Sequence, residues 1–269
     1  MATAPLYFVH ITDTHFGPTK DFVHYGSNAY DVACRMVDAI NALPVAIDFV
    51  IHTGDVTDRP EEASYTIAAE VFARLKYPIY FVTGNHDTSP AINTFLKMGA
   101  KRDASPDRNC VAYSFERKGY RFIVLDSRGP DEIDPHGMLS PNQFAFLEQE
   151  ISKDDAPFVV FIHFLPFTAD SIWLDETMLL LNGEKLHEKL VQTRNRVRGV
   201  FFGHVHRGMQ ILRDGILYSS VGSTIGQLNT FPDDARATVD FQHPPCFNLV
   251  TLIGDKTIVK EHVIPKSTP

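Results

Sequence analysis

Short runs of β-branched and aromatic residues recur along the chain, at 6–11, 49–53, 79–83, 121–126, 158–163, 199–202, 216–221, 247–253 and 257–264. Several are apolar at consecutive rather than alternate positions, most plainly Phe158-Val159-Val160-Phe161-Ile162. A run of that length and density reads as a strand covered on both faces. Between the runs the period lengthens. Val32, Met36, Val37 and Ile40 mark one face of a helix over 31–43. Pro60-Glu61-Glu62 opens a second helix with acidic residues in its first turn, and Ile67, Val71, Phe72 and Leu75 supply its apolar face. Ser140-Pro141 offers an N-cap and a first-position proline ahead of Phe144, Leu147 and Ile151. Strand and helix alternate through the first third, which predicts a largely parallel sheet with helical crossovers. The strand-rich final fifth reads as closer to an antiparallel meander. Two packed sheets flanked by helices satisfy both halves, so the expected class is α/β.

No repeat or linker interrupts this order, and one domain over 1–269 is expected. The irregular segments 130–139, 166–183 and 226–245 are long for loops. The stretch from Phe164 through Phe167, Ile172, Trp173 and Met178 is also too apolar for a bare exposed loop. Segments 164–183 and 226–245 therefore stand as candidate lids, with satellite core or an oligomer contact as the plainer alternative. In the second segment Asn229, Phe231 and Gln242 are the residues that would line a pocket or a seam between subunits.

Ligands of open α/β sheets gather beyond the carboxyl ends of the strands. Asp13-Thr14-His15 follows the first run, Gly54-Asp55-Val56-Thr57-Asp58 the second, and Gly84-Asn85-His86-Asp87 the third. His163 ends a fourth run, and Gly203-His204-Val205-His206 follows a fifth. One Asp-x-His is usually structural; five strands delivering Asp, Asn and His to one edge are not a coincidence of composition. Oxygen from Asp13, Asp55 and Asn85 with imidazole from His15, His163, His204 and His206 makes seven candidate ligands. One ion with an open water position needs fewer, whereas two ions sharing a carboxylate would use them all. The glycines before Asp55, Asn85 and His204 allow a sharp turn at each strand end. Ligation by N and O without thiolate suits Mn, Fe, Zn or Co.

Charge narrows the partners. With 25 basic and 33 acidic residues the net charge is −8, which disfavours a protein whose main task is gripping nucleic acid. Cys34, Cys110 and Cys246 are odd in number and form no CxxC, against a disulfide framework or thiolate zinc site. The run 6–11 is too short for a signal-peptide core, and no apolar run nears the roughly 18 residues of a membrane span. A cytoplasmic location is the expectation.

Asp-x-His, Gly-Asp-x-x-Asp, Gly-Asn-His-Asp, a later His and Gly-His-x-His, in that order over 13–206, resemble the calcineurin-like metallophosphoesterase family. Within it the chain is most similar to small bacterial phosphodiesterases of the cyclic-nucleotide and glycerophosphodiester type. The likeness extends to Arg59-Pro60-Glu61-Glu62, Tyr77-Pro78 and Leu125-Asp126-Ser127. The resemblance implies a four-layer α-β-β-α sandwich of two mixed sheets flanked by helices. It implies a first divalent ion on Asp13, His15 and His206, a second on Asn85, His163 and His204, and Asp55 bridging them. His86 would stand by the leaving-group or phosphoryl oxygens, and Asp87 would orient that imidazole or cap a helix. The implied reaction is hydrolysis of a small phosphodiester by in-line attack of a hydroxide on the ions. Phosphomonoester hydrolysis and nuclease action on the same two-ion site are the alternatives. Tyr25 is similar to a residue of a loop that closes over the pocket in glycerophosphodiesterase-like relatives. Ser127, directly after a strand end, is the second substrate-side candidate, through a water on the ions. Relatives often form dimers or larger assemblies, so a homo-oligomer is left open.

Two departures stand out. His163-Phe164-Leu165-Pro166 replaces the His-His-Pro-Pro common in the subgroup, which alters the adjacent pocket wall. Asp58 occupies the position where purple acid phosphatases use a tyrosine ligand, so no Fe(III)–tyrosinate bond is expected. Of the remaining histidines, His10 and His52 read as satisfied within strands, and His187 and His262 as surface residues. His24 and His136 lie in loops that could approach the site.

Overall fold

A computed structural model describes residues 4–105 and 109–264. The chain begins with β1 (Leu6–Ile11), a two-residue ladder of β2 (Val23–His24) and β3 (Ser27–Asn28), and α1 (Ala29–Asn41). β4 (Phe49–His52), α2 (Glu62–Phe72), β5 (Ile79–Phe81) and α3 (Ser89–Phe95) complete the first parallel unit. A short β6 (Arg102–Asp103) precedes the hairpin of β7 (Tyr113–Arg117) and β8 (Tyr120–Val124). Then come α4 (Pro141–Ile151), β9 (Phe158–Phe161), α5 (Ile172–Thr177), α6 (Gly183–Val191) and β10 (Val197–Phe202). The remaining elements are strands: β11 (Gln210–Arg213), β12 (Ile216–Ser220), the ladder β13 (Gln227–Leu228) with β14 (Val239–Asp240), β15 (Cys246–Ile253) and β16 (Lys256–Val263).

Two mixed sheets result. One has the order β16-β15-β1-β4-β5, and the other β11-β12-β10-β9-β8-β7-β6. β1, β4 and β5 are parallel, as are β8, β9, β10 and β12. The continuous apolar runs follow from the layering. In β9, Val159 and Phe161 join the core that contains the first sheet, while Phe158 and Val160 join a core with Leu147 of α4 and Leu186 and Leu190 of α6. Phe8 of β1 meets Phe161 and Phe201 of the opposite sheet edge-on, at 5.8 and 5.3 Å between ring centroids. α1, α2 and α3 cover the outer face of the first sheet through Met36, Ile40, Tyr65, Val71 and Ile92. The four layers are therefore α-β-β-α.

Local signals act largely as expected, with instructive exceptions. Asn28 rather than a later residue caps α1, its Oδ1 accepting from Asp31 N at 2.8 Å. α2 starts at Glu62, so Pro60 lies ahead of the helix instead of in its first turn. Ser140 caps α4 as read, with Pro141 at its start. The hairpin joining β7 to β8 turns on Lys118 and Gly119, both at positive φ, which fits the twist of a two-residue connection. β7 alternates over too few residues to stand out, and α3 and α5 are too short to show a helical period. The final fifth is not a simple meander either, because β12 pairs with β10 in parallel.

In segment 164–183, Phe164, Leu165, Phe167, Trp173, Leu174 and Leu180 are buried in the second core, which accounts for its apolar character. Segment 226–245 forms the β13–β14 ladder and leaves Phe231 and Phe241 64% and 81% exposed. No helix among the described residues is long and apolar enough to cross a membrane.

Candidate metal centre

The residues that follow β1, β4, β5, β9 and β10 meet where the ends of the two sheets face each other. Backbone bonds knit the loops after β1 and β4: Asp13 N donates to Gly54 O at 3.0 Å and His15 N to Asp55 O at 3.1 Å. Across the sheets, His204 N donates to Asp13 Oδ2 at 3.1 Å. Asp13, His15, Asp55, His204 and His206 all adopt left-handed backbone, with φ from 41° to 71°. Such residues cost on the order of 1–3 kcal/mol each unless their surroundings hold them. Of the three glycines expected to make sharp turns, only Gly54 is left-handed, at φ 102°. Gly84 and Gly203 serve by close approach: a Cβ on Gly84 would lie 2.1 Å from Asp55 Oδ1, and one on Gly203 2.0 Å from Thr12 Oγ1. The strain therefore sits on the donor residues themselves.

The donors fall into two groups. Asp13, His15 and His206 form one, with His15 Nε2 and His206 Nε2 3.1 Å apart and His206 Nε2 3.5 Å from Asp13 Oδ1. Asp55, His163 and His204 form the other, where His163 Nε2 faces Asp55 Oδ2 at 3.3 Å and Asn85 Oδ1 at 3.2 Å. Asp55 Oδ2 also lies 3.8 Å from His15 Nε2, so this carboxylate stands between the groups.

Backbone carbonyls orient the rings. His163 Nδ1 donates to Thr53 O at 2.7 Å, His206 Nδ1 to Gly226 O at 3.1 Å, and His204 Nε2 to Pro135 O at 3.0 Å. A carbonyl only accepts, so each of these nitrogens carries the proton and the opposite nitrogen of the neutral ring is a bare acceptor. Acceptor atoms thus converge on two points. The buried Asp13 Oδ1 has no well-formed hydrogen bond at all. Lone pairs crowded in this way need a cation, and the mixed N/O donor set fits a divalent metal ion. The proton affinities agree: burial drives Asp13 up to about 8 against the pull of His163. Burial opposes a charge on His163, yet Asp55, Asp13 and the Thr53 carbonyl together outweigh it and raise that imidazole to about 9. Protons collect where cations fit.

His86 is half-buried beside this cluster. Its N–H donates to Asp55 Oδ1 at 2.9 Å, and its Nδ1 donates to Asp58 O at 2.8 Å, leaving Nε2 for an external partner. The charge of Asp55 raises its pKa against burial, with Asp58 and Asp87 adding to it. Asp87 is not hydrogen-bonded to that imidazole and caps no helix. Its buried carboxylate accepts from Val56 N, Thr57 N, Gly84 N and Tyr65 Oη at 3.1–3.3 Å, tying the loop after β4 to the loop after β5. Ser127 is fully buried and its Oγ accepts from His163 N at 3.2 Å. It braces a donor residue. Tyr25 packs edge-on against His206 at 5.4 Å.

The other histidines divide. His10 and His52 are buried within strands, bonded to Thr53 Oγ1 and Thr14 Oγ1 at 2.9 Å, and burial lowers both to about 3. His24 stacks on His15 and lies 3.4 Å from Asp58 Oδ1, bringing that loop to the site. His136 Nδ1 instead accepts from Leu179 N. His187, expected at the surface, is buried between Tyr218 Oη and Asp214 Oδ2 at 2.8 and 2.9 Å. The sequence carries no signal for the carbonyls of Thr53, Pro135, Asp58 and Gly226, because any residue type supplies one.

Comparison with known proteins extends the likeness over nearly the whole chain. It is 26% identical over 267 residues to a 3′,5′-cyclic-nucleotide phosphodiesterase from Nostoc sp., covering 98% of this chain and 95% of that one. It is 26% identical over 260 residues to a glycerophosphodiester phosphodiesterase from Enterobacter lignolyticus, covering 94% and 89%. Among solved structures, a purple acid phosphatase from yellow lupin shares the fold at a TM-score of 0.64 and 16% identity. That alignment covers 97% of this chain and 52% of the lupin chain. The family model for calcineurin-like phosphoesterase matches residues 6–208, a stretch that contains every strand end described above. With Asp, Asn and His gathered at those ends, the chain belongs to the calcineurin-like phosphoesterase family.

Proposed function

We propose that the protein is a metal-dependent phosphodiesterase that hydrolyses a small diester, a 3′,5′-cyclic nucleotide or a glycerophosphodiester, at a two-ion centre. The observation that carries this is Asp55 standing between two sets of converging donors. Asp13, His15 and His206 would hold one divalent ion (Mn, Fe, Zn or Co), Asn85, His163 and His204 the other, and Asp55 both. Bound there, the ions would supply Lewis acidity and an acidified water for in-line displacement at phosphorus.

The chain's own residues do the rest. The carbonyls of Thr53, Pro135 and Gly226 hold three imidazoles in one tautomer and one orientation. His86, anchored through Nδ1 to the Asp58 carbonyl, presents Nε2 to the departing alkoxide and would give it a proton. His86→Ala is expected to lower kcat by about 10²–10³-fold for an alkyl leaving group. With nitrophenolate, which departs without a proton, the loss should shrink to a few-fold. Equal losses for both leaving groups would remove the acid role from His86.

Chelator-stripped protein, titrated with Mn(II) and assayed on an aryl phosphodiester and the matching monoester, tests the whole assignment. Activity returning with about two ions bound and the diester strongly preferred is the expected result. Monoester preference would make the protein a phosphatase. Two bound ions with neither ester cleaved would end the phosphoesterase assignment. The acidic net charge of −8 weighs against polynucleotide substrates.

A further inference from the structure

We propose that a groove beside the metal centre is a nucleobase subsite, with Phe241 as its stacking face; this rests on the phosphodiesterase assignment and selects cyclic nucleotides within it. The groove has a volume of about 220 Å³ and is lined by Tyr25, Gly26, Gly226, Val239, Phe241 and Gln242, among others. Pockets that enclose a whole drug-sized ligand begin near 300 Å³, so this one suits a single ring system. It is continuous with the donors: Tyr25 packs on the His206 ring, and Gly226 O accepts from His206 Nδ1. A ring seated there leaves the phosphate of the same molecule beside the metal-binding residues.

The walls are preformed. Arg207, next to His206, is paired with Asp240 at 2.9 Å, and Leu228 N donates to His206 O at 3.1 Å. Gln242 N donates to Asp240 Oδ1 at 2.9 Å, which fixes the turn that carries Phe241. Opposite, Tyr25 and Gly26 are both at positive φ, and the Phe241 ring edge lies 3.5 Å from where a Cβ on Gly26 would be. Segment 226–245 is thus tied to the donor loop and walls the groove.

The chemistry of the wall points to a base. Phe241 is 81% exposed although its neighbours in the turn are fixed, so packing within the chain does not account for an aromatic residue at this rim. Bases stack on such rings whatever their identity, whereas a glycerol headgroup has no π-face to offer. Gln242 places an amide, both donor and acceptor, at the same rim, which is the group that reads an adenine edge. The groove lining contains no Lys or Arg, and Arg207 behind it is already paired with Asp240, so a single nucleotide fits better than a strand.

The test compares wild-type protein with Phe241→Ala, Phe241→Leu and Phe241→Tyr on 3′,5′-cyclic AMP and glycerophosphoethanolamine. The selectivity for cyclic AMP, as the ratio of kcat/KM values, should fall about tenfold in the alanine and leucine variants, through KM, and survive in the tyrosine variant. Equal changes for both diesters, or rescue by leucine, would overturn the stacking role. Wild-type protein that cleaves glycerophosphoethanolamine but not cyclic AMP would overturn the subsite and leave the phosphodiesterase intact. If neither diester is cleaved, the phosphodiesterase assignment falls. Equilibrium dialysis of cyclic AMP then decides the subsite separately: weaker retention by Phe241→Ala supports it, and equal retention or none by wild type refutes it.

Discussion

Asp55→Ala is expected to lower kcat/KM for a small diester by more than about 10³-fold, the largest loss from any single substitution in the chain. Its Oδ2 lies 3.3 Å from His163 Nε2 and 3.8 Å from His15 Nε2, and its Oδ1 accepts from His86 N at 2.9 Å. One side chain thus serves both donor groups and the backbone of His86. Charge stabilisation by a divalent ion is worth several kcal/mol, and about 4 kcal/mol is a factor of 10³ in rate. Metal analysis of the purified variant should find fewer than two ions per chain. Asp55→Asn separates the causes, because its carbonyl can still accept from His86 N while the negative charge is gone. An alanine variant retaining two ions and a tenth of wild-type activity would show that Asp55 does not bridge.

Gly84→Ala should be nearly as severe, for a steric reason. The added methyl would lie 2.1 Å from Asp55 Oδ1 and 2.3 Å from Asp55 N. The second atom is backbone, so no rotamer change relieves the contact, and the loops after β4 and β5 must move apart. That movement pulls Asn85 and Asp55 out of register and breaks the bonds that Asp87 makes to Val56, Thr57 and Gly84. A loss of about 10²–10³-fold in kcat/KM is expected, with metal affinity down about 10–100-fold. Overpacking of this kind also costs about 1–3 kcal/mol of stability, readable by urea unfolding. Gly119→Ala is the control: Gly119 sits at φ 81° in the β7–β8 hairpin with nothing within 4 Å of a Cβ. It should lose about 1 kcal/mol and keep its metal stoichiometry. If both alanines behave alike, the close approach at Gly84 has no functional weight.

The two substitutions differ in how readable they are from the chain alone. Asp55 announces itself as a carboxylate directly after a β-branched run, preceded by glycine. Gly84 announces only that a glycine is present, and the reason for it is an atom 29 residues earlier in the chain. The same division recurs elsewhere. His163 reads as a strand-end imidazole, but Ser127 as the acceptor of its N–H does not, since the bond spans 36 positions. His187 looks exposed on a polar helix because its partners, Tyr218 and Asp214, belong to a strand and a turn far along the chain.

What the sequence determined by itself is therefore the local: which runs are strands, which periods are helical, and which chemically able side chains stand at strand ends. Each of these depends on residues within a few positions, where period and backbone propensity act directly. The tertiary structure decided the rest. It placed β12 beside β10 in parallel, made Asp87 a tie between loops in place of a partner for His86, and set segment 226–245 against Tyr25. It also chose which carbonyls orient the imidazoles and imposed left-handed backbone on five donor residues. Those outcomes depend on which distant segments share a sheet edge, and every residue carries the same carbonyl and N–H with which to meet them.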